Sequence, residues 1–277
     1  MRLAMTTLGC PKWDIETVFT RASDYGFDGV DFRGLQENLD ITRQPEFTSE
    51  MDQTRRLLDE AGLSVSALSS SIEICNSDSS EENVSRARRL LPIAHGLDVE
   101  YIRVFGKGDS DTQSDSEMAR TGRTTMEQIL SLEGATDVQW IVETHDNWTQ
   151  SEDCRVLVDR VDSPNVSVLW DVGHTARTGS ESPAETLETL GSSIEYVHIK
   201  DAVYEPDHEY AMDDGWRYVA PGTGELPLAE TIQLLRRVCF DGWVLFEHEK
   251  RWHPELQDPE HAYPAFVDWF KNLSRGR

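Results

Sequence analysis

The chain reads as a single (β/α)8 TIM barrel, and three observations predict it. Short apolar runs rich in Val, Ile, Leu and Phe alternate with longer helical patterns from end to end. That is the pattern of parallel strands covered on both faces by crossover helices. Eight such runs occur, the number that closes a barrel. The 277 residues, 38% of them hydrophobic, suit one barrel better than two small domains.

In order, the predicted strands are Arg2–Leu8, Gly29–Arg33, Ser64–Ser69, Tyr101–Phe105, Val138–Glu143, Val166–Asp171, Ile194–Ile199 and Trp243–Glu247. Helix starts lie between them. Ser79-Ser80-Glu81-Glu82 offers a capping box before a helix over 84–97, and Thr149-Gln150-Ser151-Glu152 offers one before 155–161. Ser182-Pro183-Ala184-Glu185 adds a proline at the first helical position. Asp258-Pro259-Glu260 opens the last helix, with Tyr263, Phe266, Val267 and Phe270 on its apolar face. Tyr25-Gly26, Ala61-Gly62 and His95-Gly96 read as helix stops. The polar segments 106–121 and 204–224 read as long loops after the fourth and seventh strands, on the face where barrel active sites lie. No repeat or linker divides residues 1–277, which are read as one domain.

Composition narrows the function. Fifty-one Asp and Glu face 26 Lys and Arg, a net charge of −25. The five lysines are Lys12, Lys107, Lys200, Lys250 and Lys271. Acidic residues scattered along the whole chain suit a halophilic cytoplasm, where salt screens self-repulsion. Nucleic acid is excluded as a partner, because phosphate binding needs clustered Lys and Arg. No apolar run is long enough to span a membrane, and the start lacks the pattern of a signal peptide, so a cytoplasmic protein is expected. Cys10, Cys75, Cys154 and Cys239 form no CxxC pair and are expected to be free thiols.

The chemistry lies where strands end. Trp140-Ile141-Val142-Glu143, Val168-Leu169-Trp170-Asp171, Tyr196-Val197-His198 and Val244-Leu245-Phe246-Glu247 each finish an apolar run with a metal-capable side chain. Parallel strands closed into a barrel bring such ends to one mouth. Three carboxylates and one imidazole form a hard donor set for Mn²⁺, Mg²⁺ or Co²⁺, with Zn²⁺ possible. His145 and His174, two and three residues past their strand ends, are expected as substrate hydrogen-bond donors. Lys200 and Asp201 are expected either to bind substrate or to pair with each other, and Arg217 to hold a substrate hydroxyl or phosphate. Trp13 and Trp252 are candidates to stack on a sugar face. Pro221-Gly222-Thr223-Gly224-Glu225 has amides that could bind an anion but matches no nucleotide-binding spacing, and reads mainly as a tight helix entry.

At these residues the chain resembles the xylose isomerase-like TIM barrel superfamily of sugar phosphate isomerases and epimerases. The matching pieces are Gly29-Val30-Asp31-Phe32-Arg33, Val142-Glu143-Thr144-His145, Asp171-Val172-Gly173-His174, His198-Ile199-Lys200-Asp201, Gly222-Thr223-Gly224-Glu225 and Glu247. The resemblance implies one divalent metal ion held by Glu143, Asp171, His198 and Glu247. It also implies that Glu143 and Glu247 exchange protons beside a carbonyl, through a metal-stabilised enediolate. The expected function is therefore a metal-dependent sugar, sugar phosphate or polyol isomerase or epimerase, with possible homo-oligomers by family analogy. An inosose dehydratase-like lyase would use the same enolate. An endonuclease IV-like DNA repair enzyme would need more histidine ligands and a basic face. The chain departs from the family pattern at Asp31, where members often carry Glu.

Overall fold

The computed structural model describes residues 1–275. Eight parallel strands close a barrel: β1 (Arg2–Thr6), β2 (Gly29–Phe32), β3 (Ser64–Glu73), β4 (Tyr101–Phe105), β5 (Gln139–Glu143), β6 (Val166–Asp171), β7 (Ile194–Ile199) and β10 (Trp243–Phe246). Two further strands, β8 (Asp201–Tyr204) and β9 (Trp216–Val219), pair antiparallel as a hairpin above the mouth. The helices are α1 (Ile15–Tyr25), α2 (Met51–Ala61), α3 (Ser80–Gly96), α4 (Asp115–Leu130), α5 (Ser151–Val161), α6 (Val172–Arg177), α7 (Pro183–Leu190), α8 (Leu228–Arg237) and α9 (Pro259–Arg275).

Two cores hold this together, because strand side chains alternate between the two faces of a sheet. Outward residues of the strands pack under the helices, with Trp140, Trp170 and Phe246 among them. Inward residues form a separate plug of Ala4, Ala67, Tyr101, Ile141, Leu169, Tyr196, Trp243 and Leu245. Gly29 makes room for the plug: a Cβ there would lie 2.7 Å from the Trp243 indole. The Tyr196 hydroxyl is paired with Ser66 Oγ at 2.8 Å, so the plug buries no orphaned phenol.

The expected strands and the observed ones coincide except at their ends and in two loops. β1 stops at Thr6, whose hydroxyl accepts from Leu8 N and starts a 3₁₀ turn. Segment 106–121 is half helix. Ser114 opens α4 with Glu117, whose carboxylate accepts from Ser114 N at 2.9 Å and Ser114 Oγ at 2.7 Å. Segment 204–224 carries most of the hairpin, whose strands are too short and too polar to announce themselves. Thr149 does not cap α5; Ser151 N instead donates to Glu181 Oε1 at 2.8 Å. Ser79 does precede α3, but Asn83 donates to its hydroxyl from the second turn. All four cysteines are free, and three of them are buried. Among the described residues no helix is long and apolar enough to cross a membrane.

Ser182 does cap α7. Its Oγ accepts from Glu185 N, and Glu185 accepts from Ser182 N at 2.8 Å. Replacing Ser182 by Ala should cost about 1 kcal/mol in urea unfolding, and an unchanged midpoint would remove the cap from the account.

Candidate metal centre

Two residues beyond the apolar plug, the inward positions of the strands turn polar. Tyr101 is followed by Arg103, Ile141 by Glu143, Leu169 by Asp171, Tyr196 by His198 and Leu245 by Glu247. Register completes the gathering: Asp171 lies beside His198 across β6 and β7, and Glu247 N donates to Ile199 O. Ligand atoms of Glu143, Asp171, His198 and Glu247 all lie within 4.8 Å of one another. Glu143, Asp171 and His198 are at most 2% exposed.

His198 Nδ1 stands 3.2 Å from Glu247 Oε1 and 3.9 Å from both Glu143 Oε1 and Asp171 Oδ2. Yet neither ring nitrogen of His198, nor Glu143 Oε2, nor Asp171 Oδ2 makes a directed hydrogen bond. Buried polar atoms are almost always paired. These atoms come from two carboxylates and one imidazole, which with Glu247 make a four-residue donor group of a kind that suits a divalent cation. Burial lifts the Asp171 carboxyl to about 7 against the pull of Lys200, and the Glu247 and Glu143 charges add to the rise. A cation relieves that repulsion. Burial works against charge on His198 too, but its carboxylate neighbours, Glu247 foremost, raise it to about 9.

Lys200 is the counter-charge already present. Its Nζ lies 2.6 Å from Glu247 Oε2, 2.9 Å from Asp171 Oδ2 and 3.0 Å from Glu249 Oε1. Burial opposes ionisation of Glu247, yet Lys200 and His198 hold its carboxyl well below the usual range. Lys200 Nζ is also 2.9 Å from His174 Nε2. An ammonium only donates, so Nε2 is the acceptor and the His174 proton sits on Nδ1. Burial and Lys200 keep His174 neutral, its pKa well below 6.5. The His145 ring is 4.3 Å from that of His174, and both can join Glu143 in a second three-donor group.

The other sequence candidates are placed as follows. Asp201 pairs not with Lys200 but with the glycine turn: Oδ2 accepts from Gly222 N at 2.8 Å and Gly224 N at 2.9 Å, and Oδ1 from Ala202 N. The anion in that cradle is therefore the protein's own carboxylate. Arg217, on β9, is bonded to Glu205 and borders a cavity of ≈ 380 Å³. Lys200, Tyr218, Glu247, His248 and Gln257 share that wall. Trp13 is buried, its indole N–H donating to Glu260 Oε1. Trp252 is 48% exposed beside Arg251. Neither tryptophan lines that cavity. Arg103 and Tyr218 were not singled out from the sequence, and Asp31 was noted there only as a departure from the family pattern, with no role. For Arg103 and Asp31 the missed signal was alternation: each occupies an inward position just above the plug or its Gly29 notch.

A divalent-metal-type donor cluster at the C-terminal mouth of a (β/α)8 barrel defines the class. The chain belongs to the xylose isomerase-like TIM barrel family, whose profile matches residues 19–273. Inosose dehydratase 2 of Bacillus cereus is 34% identical over 119 residues, covering 39% of each chain. The match thus spans about two fifths of that curated relative. The 3-keto-D-glucoside 4-epimerase YcjR of E. coli superposes with a TM-score of 0.75 at 17% identity, covering 98% of this chain and 99% of that one. The IOLI protein, solved with a zinc atom, gives 0.75 at 16% identity over 99% and 96%.

Mn²⁺ at 100 times its dissociation constant should raise unfolding stability by about 2.7 kcal/mol. Asp171→Asn or His198→Ala should weaken Mn²⁺ binding at least ~10-fold in calorimetric titration. Equal Mn²⁺ affinity in both variants would dissolve the proposed donor set.

Proposed function

We propose that this chain is a divalent-metal-dependent sugar or polyol isomerase or epimerase, taking a proton from the carbon beside a carbonyl. The observation that carries this reading is the convergence of Glu143, Asp171, His198 and Glu247, with buried atoms of the first three making no directed hydrogen bond. A divalent ion held there would polarise a substrate carbonyl and lower the cost of the enediolate. The remaining work falls to side chains. Glu143 and Glu247 approach from strands separated by β6 and β7, so one takes a proton and the other returns one from a different direction. Glu247 is the more open of the two, with a side chain 10% exposed against 3% for Glu143. Lys200 holds Glu247 in place and fixes the His174 tautomer, leaving Nδ1–H to donate to a substrate oxygen. The family relationship and the epimerase neighbour support the reading.

A second reading is dehydration, and one geometric feature favours it. Lys200 and His174, 2.9 Å apart, supply protons next to the candidate base Glu247. Elimination needs that pairing: a base for the carbon-bound proton and an acid for the departing hydroxyl. The partial match to an inosose dehydratase points the same way.

Deuterium uptake from solvent, followed with Mn²⁺-loaded protein on ketoses, aldoses and inososes in high salt, should label one substrate carbon. Glu143→Gln and Glu247→Gln should each lower turnover by about 10²- to 10⁴-fold while melting stays cooperative. A double variant that turns over normally would refute the proton-transfer roles. Growth of an ultraviolet-absorbing conjugated carbonyl would replace the epimerase reading with the dehydratase one.

A further inference from the structure

The barrel mouth holds two guanidinium groups that the metal chemistry does not use. Arg103 points inward from β4 with its side chain 3% exposed, and its Cζ lies 3.8 Å over the Phe105 ring. A buried guanidinium is expected to be fully paired. This one is not: Nε and Nη1 make no directed hydrogen bond. Its carboxylate neighbour is Glu143, with Oε2 3.3 Å from Nε, and that carboxylate also belongs to the donor cluster. Arg33, one residue past β2, is partly buried, and its guanidinium has no hydrogen bond or ion pair among the described residues. Burial, with the repulsion of Arg103 second, draws the Arg33 pKa down to about 10. Asp31, inward on β2 and bonded to Ser69 Oγ at 2.7 Å, forms an ion pair with neither arginine.

Several arginines elsewhere in the chain are paired. Arg177 holds Asp214, Arg86 holds Glu82 and the Ser71 carbonyl, and Arg155 holds Asp159. In a protein of net charge −25, carboxylates are abundant. What is informative at the mouth is that buried Arg103 shares its carboxylate partner with the donor cluster, and that Arg33 beside it has none among the described residues. The strongly acidic surface would also repel an anionic substrate unless positive charge waited inside.

We propose that Arg33 and Arg103 form a carboxylate-binding subsite beside the metal donors, and that the substrate is a polyhydroxylated acid rather than a neutral sugar. The planar guanidinium fork matches a carboxylate in two parallel hydrogen bonds, which suits this group better than a hydroxyl. The bound carboxylate completes the donors that Arg103 leaves open and offsets the charge that Arg33 and Arg103 share. Its distance from the metal donors then selects which carbon faces Glu143 and Glu247. The inference rests on the proposed function only for the neighbouring chemistry, not for the anion itself.

Calorimetric titration of the full chain with D-glucuronate and with D-glucose, with and without Mn²⁺ and at one ionic strength, tests it. Glucuronate should bind at least ~10-fold tighter than glucose, and Arg33→Gln should abolish most of that preference. Arg103→Lys should reduce it, since a point charge cannot present the fork. Mn²⁺ affinity should be unchanged by Arg33→Gln. Where an Arg103 variant fails to fold, Arg33→Gln, at a partly exposed strand end, carries the test. Equal binding of the acid and the neutral sugar overturns the proposal, as does a preference that survives Arg33→Gln. Tighter binding of glucose 6-phosphate than of glucuronate overturns the carboxylate assignment. Loss of Mn²⁺ binding with the acid preference intact would sink the metal reading and leave the subsite standing.

Discussion

Three buried carboxylates aimed at one point are the constraint on which the rest of the molecule depends. Glu143, Asp171 and Glu247 converge with His198 inside a mouth that water barely reaches. Such an arrangement works against folding unless positive charge meets it. The chain supplies Lys200 from β7's end and Arg103 from β4, and the four donor groups still lie within 4.8 Å of one another. The barrel exists to hold that tension still: eight short strands fix the carboxylates, and the aromatic plug beneath them prevents relaxation inward.

The layering follows from strand geometry alone. Inward positions two residues apart sit one above the other. Along single strands Tyr101 is followed by Arg103, Ile141 by Glu143, Leu169 by Asp171, Tyr196 by His198 and Leu245 by Glu247. Stability and chemistry are thereby assigned to adjacent rungs of the same strands. Along each of these strands the apolar or aromatic residue comes first and the ionisable one follows it toward the mouth. The plug removes water from below the carboxylates, which strengthens every charge interaction above it.

Most of the barrel was legible in the sequence, because a strand buried on both faces writes itself as a run of Val, Ile, Leu and Phe. The four strand-end donors were legible for the same reason: a Glu, Asp or His ending such a run stands out. Arg103 was not, since it sits inside its strand and Val104-Phe105 follow it; only the inward parity of Tyr101 marks it. The β8–β9 hairpin was hidden by its length and by the acidic stretch between its strands. The hydrogen-bond partners of Asp201 were hidden for a different reason. Its partners are backbone amides of Gly222 and Gly224, about twenty residues on, and no side-chain pattern records an amide. Trp13 and Trp252 show the converse: aromatic residues in a mouth-side loop carry no sign of which way they face.

The Asp201 clasp has a further meaning for how this protein can change over time. It staples the start of β8 to the turn that follows β9, so both roots of the hairpin are fixed by one carboxylate next to Lys200. Residues 205–215 form the tip beyond that staple, where Asp214 is held by Arg177 at the end of α6. Descendants of this gene can lengthen, shorten or rewrite that tip while the reactive groups stay put. The tip and the donor strands are separate pieces of chain, so one can be rewritten without rebuilding the other.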